Sequence, residues 1–403
     1  MKKLLIVTYG GGHSNIIHNL YPHLCKNFDV IIFALTTAED FFENKKIKFN
    51  NLEYYASKLN IKDEAQSLGQ RLIKDLKIDY SFLGFEKTTL YYGVSGLDCL
   101  INTSYENLLL DYLNEGRKSF LPIRFLENII DFECPNYILT TNSPRFERAS
   151  ILAAKNKGII SFSIEDLLGD SRLISTKDPN PNYIGDYIFV MNEMAKANLI
   201  KKGFTDYREI YVTGQPIFDS VYEHMKKKQI DTPKHPIKVL WLSQHIANQK
   251  EIFHQLVDSF KDKNDFVLYV KPHPNENYLY MKEFINHKKY KNIFILEKSL
   301  LLDYIANSNV VLTQFSTAGF EAIAYKKSLF VLNLFSSNYP LDYVKLGLAV
   351  NIKNIDDLFD EINTYLFTDK YKIIKQNVID FLPNISASNE IVKCINHITK
   401  TKF

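Results

Sequence analysis

Short apolar, β-branched runs recur along the chain, each breaking off sharply into polar and turn residues before an amphipathic stretch of helical period. The first, residues 4–8, ends in Tyr9-Gly10-Gly11-Gly12-His13, after which Ile16, Ile17, Leu20 and Leu24 share one helical face. Similar runs lie at 30–34, 137–140, 159–163, 187–191 and 210–213, and again at 239–242, 266–270, 293–296, 310–313 and 329–332. Apolar character that is continuous rather than alternating predicts strands buried on both faces, as in a parallel sheet. Strands that alternate with helices predict the α/β class and doubly wound sheets. Residues 40–130 read differently, with helical patterns at 68–76, 105–113 and 121–130, interleaved aromatics and no catalytic motif. The polar segment 226–236 separates the two strand series and reads as a linker. The expected division is therefore 1–224, 225–380, and a C-terminal helix within 381–403 that crosses back to the first domain.

In an open α/β sheet, ligands gather where strands end at their carboxyl edge. Two such ends stand out in the second half. Lys271-Pro272-His273-Pro274-Asn275 follows one run, and Ser316-Thr317-Ala318-Gly319-Phe320-Glu321 follows another and opens a helix. Free N–H groups at a helix start suit a phosphate, and the prolines on either side hold the imidazole of His273 with little entropy to lose. His245 follows the first run of this half and is a weaker candidate for the same ligand. In the first half, Gly11 and Gly12 let backbone approach a ligand closely, with His13 at the helix start. Their spacing is not Gly-x-Gly-x-x-Gly, so a dinucleotide is not indicated. Asn142 lies past the run at 137–140. Glu165 and Asp166 lie past the run at 159–163, with Gly169 and Asp170 beyond.

Composition narrows the field. With 403 residues, two domains are expected, each able to bury a core unaided. A net charge of +3 does not suggest nucleic-acid binding. Lys226-Lys227-Lys228 and the lysines at 288, 289 and 291 leave peripheral contact with an anionic membrane open, against the commoner reading of a solvated surface. Four scattered cysteines, Cys25, Cys99, Cys134 and Cys394, predict neither a zinc site nor disulfides, and fit a reducing cytoplasm. The expected location is cytoplasmic, including the inner face of the membrane. No metal is expected, since the chain has no Asp-x-Asp.

Taken in order, these motifs resemble the GT-B architecture of glycosyltransferases: two Rossmann-like domains facing a central cleft. Several pieces resemble the UDP-N-acetylglucosamine 2-epimerases. They are Pro135-Asn136-Tyr137-Ile138-Leu139, then Ala153-Ala154-Lys155, and Thr213-Gly214-Gln215-Pro216-Ile217-Phe218-Asp219. The resemblance places Gly214 with the donor-binding residues. Where that family has His-Gly-Asp-Thr, this chain has Thr141-Asn142-Ser143-Pro144. The expected Glu-Glu-x-x-Asn-Arg is replaced by Lys177-Asp178-Pro179-Asn180, and Glu165 alone falls at an epimerase glutamate. The trio Glu165-Asp166-x-x-Gly169, Lys271-Pro272-His273-Pro274 and Ser316-Thr317 is similar to bacterial sialyltransferases and polysialyltransferases, which use CMP-sugars. Capsule glycerophosphotransferases and Kdo transferases share a His-Pro element like this one.

The resemblance implies a metal-independent glycosyltransferase. It would use a CMP- or UDP-sugar donor, with no covalently bound cofactor, and a hydroxyl of a surface glycan or glycoconjugate as acceptor. Glu165 or Asp166 would be the base, unless one caps the next segment or pairs with Arg172. His273, helped by Lys271, would neutralise the leaving phosphate. Ser316 and Thr317 would hold its oxygens or simply cap the helix, and Glu321 would accept from ribose hydroxyls. The alternatives are an epimerase or hydrolase, a phosphoglycerol transferase, or a catalytically silent binding protein of the same fold.

Overall fold

Residues with a branched Cβ pack well on a pleated surface, and the runs identified above become central strands. The computed structural model describes residues 1–169, 184–203, 209–227, 235–273, 276, 278–296, 301–383 and 385–401. By contacts the chain forms two units, one of residues 1–219 and 383–403, the other of 220–382.

The first unit carries strands β1 (Lys2–Thr8), β2 (Phe28–Ala34), β3 (Tyr137–Thr140), β4 (Ile160–Ile164), β5 (Tyr187–Val190) and β6 (Glu209–Val212). They pair in parallel in the order β2-β1-β3-β4-β5-β6. Side chains alternate across β1: Leu5 and Val7 enter a core with Phe33, Leu126, Ile129 and Phe146, while Leu4 and Ile6 enter one with Ile17, Leu20 and Phe162. Ile391, Ile395 and Ile398 of the helix Ala387–Thr401 join the second of these cores. That helix starts on the Asp219 carboxylate, which accepts the N–H groups of Ala387 (2.8 Å) and Ser388 (2.9 Å).

The helical patterns of the 40–130 region form Lys62–Leu76, Tyr105–Glu115 and Ile123–Glu133. A further helix, Phe85–Leu100, escapes sequence reading. Its centre is Tyr-Tyr-Gly-Val-Ser-Gly, rich in poor helix formers, and burial stabilises it instead. It lies so close to Lys62–Leu76 that a Cβ on Gly93 would meet the Ala65 carbonyl oxygen at 1.7 Å, and one on Gly69 that of Thr89 at 1.9 Å.

The second unit carries β7 (Ile237–Leu242), β8 (Phe266–Lys271), β9 (Ile293–Ile295), β10 (Val310–Thr313), β11 (Ser328–Leu332) and β12 (Val350–Ile352). All are parallel, in the order β12-β11-β10-β7-β8-β9. Trp241, Val239, Leu268, Val270, Leu312 and Phe330 form its core with Phe253 and Leu256 of the helix Gln249–Phe260. The short strand β12 follows a glycine turn and is not legible as an apolar run. The chain thus has the two doubly wound α/β sheets expected of the GT-B class. No helix among the described residues is long and apolar enough to cross a membrane.

Candidate functional site

Each sheet has a switch point where strand order reverses, and ligand crevices open there. In the first sheet it lies between β1 and β3, in the second between β7 and β10.

Past β1, the glycine turn is dictated by two different needs. A Cβ on Gly10 would meet Thr37 Oγ1 at 1.8 Å, and Gly11 has φ 71°. Gly12 faces open space at the start of the helix Gly12–Leu24. His13 turns back to the sheet, its Nδ1 2.6 Å from Thr141 Oγ1. Thr141 in turn donates to Glu147 Oε1 at 2.6 Å. Glu147, fully buried, also accepts from the N–H groups of Tyr9 (3.2 Å) and Ser143. Burial pushes its pKa up, against the pull of His13 and these donors. Beside it Arg145 lies 4.6 Å from the Tyr9 ring centre, and the Tyr9 hydroxyl is 2.7 Å from that of Tyr91. Glu147 and Arg145 were not candidates by sequence. Their signal was only a polar pair at the mouth of a helix.

One strand further, the candidates converge. Asn142 Nδ2 bridges Glu165 Oε1 (3.1 Å) and Asp166 Oδ1 (2.7 Å). Gln215 Nε2 holds the Glu165 carbonyl at 2.8 Å. Glu165 is 2% exposed, and burial first, then the Asp166 charge, raises its pKa to about 8. Asp166 is half-buried. Gly169 has φ 74°, and a Cβ there would strike the Ala195 carbonyl oxygen at 2.2 Å. Asp170, Arg172 and the 177–180 segment lie outside the described residues. Gly214 closes β6 in this first unit with φ 79°, 3.2 Å from Ala387 Cβ measured at its missing Cβ.

In the second unit, the ends of β7 and β8 are tied together. Ser243 N–H donates to the Lys271 carbonyl at 3.0 Å. Glu276 Oε2 accepts from Ser243 Oγ (2.9 Å) and the His273 N–H (3.1 Å), which sets the loop that carries the imidazole. Glu276 was missed because a glutamate in a polar loop carries no signal of its own. His273 is depressed below the ordinary histidine range by burial and by repulsion from His245 and Lys271. Burial also lowers Lys271. Two bases whose charge burial disfavours thus lie near a third, His245, at neighbouring strand ends, a pattern found at functional sites. Pro274 and Asn275 lie outside the described residues.

Past β10, Ser316 N–H donates to Thr313 Oγ1 at 3.2 Å, and Ser316 Oγ accepts the Ala318 N–H at 3.3 Å. Thr317 is exposed and its hydroxyl caps nothing in the helix Ala318–Ala324. The missing side chain of Gly319 is filled by Tyr343, whose hydroxyl would sit 2.6 Å from a Cβ there. Glu321 is not the exposed glutamate that helix position alone would allow: burial raises it to about 7. Strands β8 and β10 flank β7, so these two ligand-type ends stand about 10 Å apart, two strand spacings. No group of three or more His, Cys, Asp or Glu among the described residues is placed to hold a metal ion.

Two parallel six-stranded sheets in these orders, each covered by helices, make a GT-B-like α/β fold. The solved structures it resembles include UDP-GlcNAc 2-epimerase from Neisseria meningitidis bound to UDP-GlcNAc, with a TM-score of 0.63 and 14% identity over 98% of this chain and 100% of that one. The enzyme of the same name from Methanocaldococcus jannaschii gives 0.61 and 16% over 98% and 99%. MurG from Acinetobacter baumannii gives 0.56 and 10% over 98% and 100%. No protein-family model and no curated protein matches the chain.

Proposed function

We propose that the protein is a nucleotide-sugar enzyme that transfers a sugar from a UDP-linked donor to a hydroxyl acceptor. The observation that carries this is the convergence of Lys271 and His273, at the end of β8, with His245, at the end of the adjacent β7: burial discourages the charge of Lys271 and His273, and the two neighbours add to it at His273. The solved structures with this fold include an epimerase holding UDP-GlcNAc, which favours a UDP donor over the CMP donor of sialyltransferase-type enzymes. His273 and Lys271 would take up charge on the leaving diphosphate. On the first sheet, Asp166 is the better placed base: it is half-buried, whereas Glu165 is closed off and holds its proton at neutral pH. Asn142 would orient both carboxylates.

A second reading, a UDP-sugar 2-epimerase or hydrolase, is favoured by Glu165 itself. A carboxyl group with a pKa near 8 can give and take a proton at neutral pH, as removal and return of a proton at a sugar carbon demands.

Thermal unfolding across UDP, CMP, CDP and GDP tests the donor site. UDP should raise the midpoint with concentration, by mass action on the folded form. No response to any nucleotide sinks the proposal. Incubation with UDP-N-acetylglucosamine alone separates the two readings: turnover without acceptor supports the second.

A further inference from the structure

The reading above leaves unused a cavity of about 180 Å³ in the first unit, at the end of β2. Thr36 lines it from the loop after β2, Glu39 from the first turn of the helix Ala38–Asn44, Asn51 from the start of the helix Leu52–Lys58, Gln66 from Lys62–Leu76, and Glu86 and Tyr91 from Phe85–Leu100. Four leucines fill the gaps between these polar groups. Amides, carboxylates and hydroxyls set among aliphatic carbon are what a sugar ring meets best. Its hydroxyls pair with the polar groups, and its C–H face rests on the leucines.

Size and charge narrow the ligand. Pockets for drug-sized ligands begin at roughly 300 Å³, so this cavity suits a single ring and not a nucleotide-sugar. Of the lining carboxylates, Glu39, Glu53 and Glu86, the second is paired with Lys62 from outside the lining (2.6 Å), and the lining itself holds one ammonium, Lys87. Lys87 is already held by Glu39 (3.3 Å) and Asp40 (3.1 Å). An acidic sugar would be repelled, and a neutral or amino sugar accepted.

One wall, at Leu83, belongs to a turn whose Tyr80, Phe82 and Phe85 are 47%, 79% and 45% exposed. Aromatics this open on a single turn mark a contact surface, and sugar rings stack on such faces. Strand order adds a distance. β2 and β4 are three spacings apart, about 14 Å, on one carboxyl edge. That separates the cavity from Glu165 and Asp166 by more than one sugar unit.

We propose that this cavity is a remote acceptor subsite: it grips one neutral or amino sugar of an oligosaccharide whose reacting hydroxyl lies at the end of β4. The assignment rests on the glycosyl-transfer reading and gives it an acceptor class. It also makes the acceptor's length matter.

Saturation-transfer NMR on the full chain tests it, with methyl β-galactoside, methyl N-acetyl-β-glucosaminide and N-acetylneuraminic acid as probes. One or both methyl glycosides should receive saturation, and N-acetylneuraminic acid should not. Gln66→Leu should abolish the signal, and Glu86→Ala, at an exposed side chain that leaves the fold alone, should at least halve it. Both variants should keep the thermal response to UDP. No transfer to either glycoside, transfer to the acidic sugar alone, or signals unchanged in both variants overturns the subsite. A missing UDP response in the unaltered protein is a different failure: it removes the transfer reading and leaves the cavity as a sugar site.

Discussion

Both sheets have six parallel strands, and both present their loops at the carboxyl edge, yet the two edges carry different chemistry. On the first, Glu147 and Glu165 are closed off from water and tied by donors from neighbouring strands, so the proton is the species under control. On the second, Lys271 and His273 stand partly covered beside the exposed His245; burial discourages the charge of both, and at His273 the two neighbouring bases add to it. Buried carboxyls with raised proton affinity occur at both edges, Glu321 among them, and only the second adds bases whose charge burial discourages. The difference comes from loop residues and not from strand order, which is why the fold alone does not name the reaction.

The contrast can be broken at its acidic side first. Under the transfer reading, Asp166→Asn should lower the rate of UDP release in the presence of acceptor by roughly 10²- to 10⁴-fold, while UDP binding stays intact. If Glu165→Gln does more harm than Asp166→Asn, the epimerase reading takes over.

Next in size is an effect on stability. The Glu165 pKa is raised in the folded protein from an ordinary 4.5 to about 8. Its contribution is fully present below pH 4.5 and is lost as pH rises through 8, because the unfolded chain releases the proton first. Glu165→Gln keeps the shape without the proton. Its stability relative to the unaltered protein should therefore climb between pH 5 and 9, by about 4 kcal/mol at most, as read from urea midpoints. A flat difference would show that Glu165 is ionised in the fold.

Glu147→Ala should cost about 3 kcal/mol, since it strands the Tyr9 and Ser143 N–H groups and the Thr141 hydroxyl in a dry site. It should leave the UDP response in place. On the basic side, Lys271→Ala should weaken UDP binding at least tenfold, the worth of one charged contact. Calorimetry reads this directly, and an unchanged affinity would move the anion elsewhere. The smallest effect is the most specific: UDP should raise the depressed His273 pKa, followed by NMR of the ring protons. A pKa that stays low on binding would place the phosphates away from the imidazole.

Much of this molecule is legible in the amino-acid order. Strands such as Val310–Thr313 and Phe266–Lys271 announce themselves because a strand buried on both faces must be apolar without interruption. The turn at Gly10 and Gly11, the loop at His273 and the carboxylates after β4 follow from the same logic, since chemistry must begin where such a run ends. The helix Phe85–Leu100 did not show itself. Its glycines and aromatics disfavour an isolated helix and make sense only against the partner helix, whose Ala65 fills the space above Gly93 while Thr89 fills that above the partner's Gly69. Glu147, Glu276 and the raised Glu321 were equally hidden, because whether a carboxylate faces water or is closed in depends on strands distant in sequence. Periodicity is a local property and fixes which elements form. Burial, proton affinity and the bridge that Asn142 makes between two carboxylates are non-local, and only the packed structure decides them.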